Sequence, residues 1–393
     1  MKKFTISYQI NKIAPMNRNL KLVSISLFMW GIGEGMFLLF QPIYLIQLGA
    51  DPIAIGVILG GMGFMTTISQ IPSGYLSDRF GPRPLMWISW ILGMSSAWLM
   101  ALAGTLNLFI VALLLYGLTS SVLAPMNAYI TSMRGNWTAE RSLTFTSAAF
   151  HLGAVIGPTI GGYFGQQFDL QILYYIAAVF FVVSTSFILF IEKPTIELHH
   201  ELGQRKNLIK NNAFMRIAFL GFIGLFFMVF TQNFTSVYLI DFKSINLQQI
   251  GYLGTIGSIG NVVFALTLGH LSSKTGFLLS FPFTILFPIL LLTGKEFVWY
   301  GLAYFSFGGY RLARSMLLAY SREFIHSRDT GLAFGIIETA NGLAIILAPP
   351  LCGIVYNHNP QNIFWISAIG LALVGLISFF QLSKFKRKDP NWL

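Results

Sequence analysis

Gly74-Tyr75-Leu76-Ser77-Asp78-Arg79-Phe80-Gly81-Pro82-Arg83 decides the fold, because its skeleton returns later in the chain. Gly269-His270-Leu271-Ser272-Ser273-Lys274-Thr275-Gly276 repeats Gly74, Leu76, Ser77 and Gly81 at a constant offset of 195 residues, and Gly56 and Gly251 keep that offset. Each copy is a short polar junction between two apolar stretches. A pattern duplicated at about half the chain length implies two homologous halves around a pseudo-twofold axis, with a cavity where they face each other.

Composition sets the solvent of those halves. The 393 residues are 55% hydrophobic and 10% charged, with a mean hydropathy of +0.67, whereas soluble domains carry about 25% charged residues. So little charge cannot cover a soluble protein of this size, and the outer face must meet lipid. Apolar stretches able to cross about 30 Å of hydrocarbon recur twelve times. They fall at 20–47, 52–73, 84–104, 107–131, 142–165, 170–191, 213–239, 248–271, 277–294, 297–321, 331–356 and 361–382. The expected fold is an all-α membrane protein of twelve transmembrane helices in two pseudo-twofold-related six-helix bundles. The bundles are residues 1–191 and 213–393, joined by a polar linker over 192–212.

Charge then fixes orientation. Nearly all of the 25 Lys and Arg fall at the termini, in the linker, or in the junctions after spans two, four, eight and ten; Arg79, Arg83, Arg134 and Arg141 are examples. The positive-inside bias therefore puts both termini in the cytoplasm, for a multi-pass protein of the cell membrane. The formal net charge of +11 is topological; the basic residues form no stripe with aromatics, so no nucleic-acid partner is expected. Residues 1–21 carry no signal-peptide pattern. Cys352, the single cysteine, allows no intrachain disulfide, and His199 and His200 lie in the polar linker. Neither metal nor cofactor is expected. No HExxH and no GxxxxGK[ST] segment occurs, which argues against a zinc hydrolase and an ATP-driven pump.

Two motifs carry a family resemblance. Gly74 to Arg83 is similar to Gly-x-Leu-x-Asp-Arg-x-Gly-Arg-Arg, the signature of the major facilitator superfamily, with Pro82 in place of one arginine. In span five, Gly153, Gly157, Pro158, Gly161 and Gly162 form Gly-x-x-x-Gly-Pro-x-x-Gly-Gly, which resembles a motif common among the family's exporters. Ala344, Ala348, Pro349, Cys352 and Gly353 repeat that register in span eleven. The resemblance implies a non-enzymatic transporter with alternating access. It also implies a conformational latch of Gly74, Asp78, Arg79, Gly81, Arg83 and Arg134. Gly74 would permit close helix approach, Gly81 a positive φ, and Asp78 a contact with Arg134 or a helix N-terminus. Pro158 would kink span five. The arginine that such exporters carry in span four is replaced here by Leu113.

Charges inside the spans are few and so informative, since each costs about 2.5 to 3.5 kcal/mol at a helix centre unless it faces water or a partner. Trp30, Glu34, Phe37 and Gln41 recur at helical spacing on span one, and Glu34 is the candidate proton carrier. Arg311 and Arg314 in span ten and Glu338 in span eleven lie at depths that allow Arg314 and Glu338 to pair. That would leave Arg311 to balance Glu34 or attract an anion. Gln232, Asn233, Tyr304 and Asn341 complete the cavity candidates, while His151 in span five reads as a packed histidine. The expected protein is a monomeric, proton-coupled exporter of a small organic molecule. An uptake carrier for an organic anion or sugar, and a non-transporting receptor or membrane enzyme, remain as alternatives.

Overall fold

The computed structural model describes residues 15–194, 211–325 and 330–384, except for the side chains of residues 71, 74, 78, 140, 330–332 and 382–384. All regular structure among the described residues is helical. Lipid offers backbone groups no hydrogen-bond partner, so a helix, which satisfies them internally, is the natural spanning element. Eleven candidate spans are long and apolar enough to cross a membrane, with mean hydropathies from 1.3 to 2.3. The twelfth, span ten, is divided at Phe307 into Phe297–Ser306 and Gly308–Ser321.

Spans two, three, five and six are Pro52–Phe80, Pro82–Leu102, Ala139–Gln167 and Gln171–Leu189. Spans eight, nine, eleven and twelve are Leu247–Leu268, Ser273–Thr293, Thr330–His358 and Asn362–Lys384. The others are interrupted. Span one breaks between Arg18–Leu38 and Gln41–Gln47. Span four passes from Leu106–Gly117 through the 3₁₀ turn Leu118–Val122 into Leu123–Ser132. Span seven passes from Asn212–Phe230 through Gln232–Phe234 into Thr235–Lys243. Most of the linker, residues 195–210, lies outside the described residues. Large apolar side chains such as Ile88, Leu108, Val179 and Phe379 stand exposed along the helices, as a lipid-facing surface requires.

The Gly74–Arg83 stretch is a helix end and not a loop, which corrects the expected end of span two at residue 73. Span two continues to Phe80, Gly81 turns with φ 81°, and Pro82 opens span three. The Gly81 N–H donates to Ser77 O at 2.9 Å, closing the last turn. Proline fits the next position because a first-turn amide has no intrahelical acceptor.

Two seams join the halves, and the same device builds both. On span eight, a Cβ added to Gly251 would collide with Pro158 O of span five, and Gly162 Cα would lie 2.9 Å from it. On span two, a Cβ added to Gly56 would lie 2.5 Å from Pro349 O of span eleven, and one added to Gly353 would lie 3.3 Å from Gly56 Cα. Proline and glycine thus recur in one register on spans five and eleven, each pair set against a repeat glycine of the other half. Thr159 and Thr255 hydroxyls, 2.7 Å apart, and Ser258 Oγ to Ala154 O, 3.3 Å, extend the first seam. Gly342 against Thr67 extends the second.

These contacts lie away from the end that carries Arg79, Arg83, Arg134 and Arg141, called here the basic end. Toward it the facing stripes become exposed: Gln70, Thr339 and Gly335 beyond one seam, Thr144, Ser147 and Val262 beyond the other. A Cβ on Gly335 would meet open space. The halves therefore enclose a cleft sealed at the far end and open at the basic end.

Backbone contact of this kind leaves no room for side chains. Gly56→Val and Gly251→Val are each expected to destabilise the protein by about 1–3 kcal/mol through overpacking, read as a lower thermal unfolding midpoint in detergent, whereas Gly335→Ala leaves the midpoint unchanged or higher.

Candidate functional site

Span one is held in the first half by backbone proximity. Gly153, Gly157 and Gly161 of span five face it, and a Cβ at any of the three would meet the Phe28, Ile32 or Met36 carbonyl oxygen. Gly31 and Gly35 of span one receive span five in return. On its other side, Ser26 and Ser184 share a 2.7 Å hydroxyl contact, and Trp90 Nε1 donates to both hydroxyls at 2.9 Å. Spans one, three and six are thereby tied together. Such interhelical hydrogen bonds contribute about 0.6 kcal/mol each on average, so shape complementarity carries most of the attachment.

This packing sorts the span-one candidates. Phe37 is fully buried among Tyr116, Tyr174 and Phe181, and Gln41, 1% exposed, lies past the helix break with Nε2 3.9 Å from Met62 Sδ. Neither lines the cleft, because the Leu39–Phe40 break and the Gly-rich face turn that stripe into the bundle. Glu34 is half-buried, beside Trp30 and Tyr116 in one recess, with Arg311 as a nearby positive charge. Trp30 is stacked on Phe181 with centroids 4.1 Å apart. Glu34 and Trp30 line a recess of about 250 Å³ with Ser89, Trp90, Tyr116, Thr119, Ser120 and Phe150.

The second half supplies the opposing charges. Arg314 pairs with Glu338, with Nη2 to Oε2 at 2.5 Å and Nε to Oε1 at 3.4 Å. Asn341 Nδ2 lies 3.5 Å from the same carboxylate. Arg311, one turn earlier, is exposed, and its Nη1 lies 3.5 Å from His151 Nε2 across the cleft. His151, read from the sequence as a packed histidine, is half-buried and has its partner in the other half. The observation that would have found it is its place two residues before Gly153, on the span that meets both halves. Tyr304 and Asn341 are 7% and 2% exposed and belong to the interior of their bundle; Tyr304 packs on Phe287. Gln232 is exposed and Asn233 half-exposed, both at the 3₁₀ break in span seven.

At the basic end, the side chains of Gly74 and Asp78 lie outside the described residues. Arg83 stacks over Trp87 with its guanidinium carbon 4.1 Å from the ring centroid, Arg79 lies 5.3 Å from the Phe80 ring, and Arg134 is exposed. In the second copy, Ser273 stands at the register of Asp78, and its hydroxyl donates to Glu323 at 2.8 Å. The acid there comes from the end of span ten. Among the described residues no cluster of three or more His, Cys, Asp or Glu is arranged to hold a metal.

Two glycine-seamed halves of membrane-spanning helices, with Glu34, Arg311 and the Arg314–Glu338 pair near the cleft between them, have the architecture of a solute-carrying membrane transporter. The profile of the Major Facilitator Superfamily matches residues 23–326 and again 245–391, and the chain belongs to that family. The quinolone resistance protein NorA of Staphylococcus aureus is 20% identical over 389 residues, covering 96% of this chain and all of NorA. Multidrug resistance protein 2 of Bacillus subtilis is 23% identical over 380 residues, 88% of this chain and 92% of that protein. An uncharacterized transporter of the same family from Methanocaldococcus jannaschii is 21% identical over 388 residues, 95% of this chain and all of the relative. Among solved structures, the nucleoside transporter NupG superposes with a TM-score of 0.81 at 16% identity, over 93% of this chain and all of that one. The human organic anion transporter MFSD10 gives 0.66 at 15% identity, over 93% and 99%. The protein is a multi-pass membrane transporter of small molecules, and not an enzyme.

The Arg314–Glu338 pair has side chains 42% and 32% exposed, so solvent screens it in part. Arg314→Ala and Glu338→Ala are each expected to cost about 1–3 kcal/mol, and the double variant less than the sum, because each single change strands the other charge. A double-mutant cycle on thermal unfolding checks this; strict additivity contradicts it.

Proposed function

We propose that this protein exports small organic compounds across the cell membrane in exchange for protons, by alternating access about the two seams. The observation that carries the reading is the position of Glu34. It is the acid of span one, at the cleft, on a helix held by span five, whose opposite face is one wall of a seam. A carboxyl group there feels both the cleft contents and any rearrangement of the halves. Protonation removes its charge before it crosses a dehydrated state, and neutral groups cross low-dielectric regions at far smaller cost than ions. Arg311 supplies the opposing fixed charge, and the Arg314–Glu338 pair holds span ten to span eleven while it does so.

Orientation follows from the positive-inside bias: the basic end, both termini and the linker lie in the cytoplasm, so the cleft described above faces inward. The two bundles, 1–191 and 213–393, move as the rocking units and the linker over 192–212 restrains them, with Asp78 and Arg134 latching one state. One monomer carries a complete cleft. Export as the direction rests on NorA and multidrug resistance protein 2, whose names describe resistance. Arg311, exposed on the cleft wall, favours a second reading as an uptake carrier for an organic anion.

Proteoliposomes under an imposed proton gradient, with a fluorescent quinolone as probe, test the coupling. Glu34→Gln is expected to lower gradient-driven flux at least tenfold while leaving insertion and the elution profile intact. Equal flux in the variant removes Glu34 from the coupling path.

A further inference from the structure

The two seams share a packing device but differ in polarity. Along the first, side chains bond from one half to the other. Thr255 Oγ1 donates to Val155 O at 2.7 Å, which leaves Thr159 as the donor in the 2.7 Å hydroxyl pair with Thr255. Ser258 Oγ reaches Ala154 O at 3.3 Å. At the far rim, Leu247 N donates to Gln166 Oε1 at 3.1 Å. Spans five and eight thus meet along a polar ladder from Ala154 to Gln166, about 18 Å at the helical rise per residue. Its inner end lies one turn from His151, at the cleft.

The second seam has no such ladder. A Cβ added to Gly60 would lie 2.7 Å from both Ile346 O and Pro350 Cγ, and one added to Gly63 would lie 2.9 Å from Ile345 Cγ2. Thr67, set against Gly342, turns its hydroxyl back to Gly63 O of its own helix at 2.9 Å. Among the described residues no side-chain hydrogen bond crosses from span two to span eleven. The repeat itself excludes the rim bond: Leu247 corresponds to Pro52 at the offset of 195, and proline has no N–H to donate.

Parting these two surfaces has unlike consequences. Hydroxyl and amide groups that lose a protein partner gain a water, so the net change is small. Isoleucine and proline side chains gain no partner, and wetting them is unfavourable in proportion to area. A path that fills with water in every cycle therefore opens more readily along the ladder than along the apolar seam.

We propose that the seam between spans five and eight is the far-side gate of the transport path, and that the seam between spans two and eleven stays closed as its hinge. The proposal rests on the alternating-access reading above and adds a direction to the motion. A solute that leaves the cleft passes between the hydroxyls of Thr159, Thr255 and Ser258, which exchange their bonds for water as the gate parts. The Gly56–Pro349 and Gly353–Pro52 contacts persist in both states.

Spin labels on exposed positions beside each seam test this in the full-length protein in lipid nanodiscs, in a Cys352→Ala background. One pair is at Tyr163 and Tyr252, the other at Ile53 and Ile354, all four exposed. Across a pH step the first distance is expected to lengthen at least twice as much as the second. Equal lengthening, or more at the second pair, overturns the gate and keeps alternating access. A step that moves neither distance removes both. Thr159→Val combined with Thr255→Val keeps the shape of the gate and makes it apolar. That variant is expected to shift the Tyr163–Tyr252 distribution toward the shorter distance, because wetting the gate has become unfavourable. No shift, or a shift to the longer distance, means that the hydrogen bonds do not act in this way, and overturns the proposal. The comparison of the two label pairs needs neither valine and stands alone if the double variant does not fold.

Discussion

Backbone-to-backbone approach at glycine is the constraint on which the rest of this structure depends. Lipid gives two helices no hydrophobic reason to associate, so contact must come from close packing and from small residues that allow it. Here the glycines are spent where three helices meet. Span five is pressed against span one through Gly153, Gly157 and Gly161 and against span eight through Gly162. One helix therefore couples the acid-bearing span of its own half to the seam with the other. The second seam repeats the arrangement with Pro349 and Gly353 against Gly56, so closure of the far end is symmetric about the pseudo-twofold axis.

That symmetry stops at the chemistry. The first half contributes an acid in an aromatic recess; the second contributes an exposed arginine and a salt-bridged pair on spans ten and eleven. His151 and Arg311 bridge the cleft near the level where the seams give way to open walls. The packing is alike in the two halves, with a proline and a glycine of one span set against a repeat glycine of the other half at each seam. The polar groups differ between the halves: Glu34 in one, Arg311 and the Arg314–Glu338 pair in the other.

Much of this was legible in the residues. The 195-residue repeat, the apolar stretches and the bias of Lys and Arg gave the architecture, since lipid leaves the backbone little choice. Gly81 was readable as a turn because it precedes Pro82, which disfavours helical geometry at the residue before it, and because glycine takes positive φ without a Cβ penalty. The face of span one was not readable. Helical spacing grouped Phe37 and Gln41 with Glu34, but a break at Leu39–Phe40 and the approach of span five decided which side faced inward, and neither leaves a local signature. In an apolar helix every face is apolar, so periodicity loses the contrast that tells core from surface in soluble proteins. Tyr116, Trp90 and the partner of His151 were hidden because the contacts come from other spans, up to 160 residues away in the Arg311–His151 contact.

Alternation about the two seams is best tested by paired spin labels in a Cys352→Ala background. One pair, at Thr144 and Leu266, reports the basic end; the other, at Gln167 and Asn246, reports the far end. Double electron–electron resonance across a pH step should show the first distance shortening as the second lengthens. If both distances hold, or both change in the same direction, the halves do not rock about these glycine contacts.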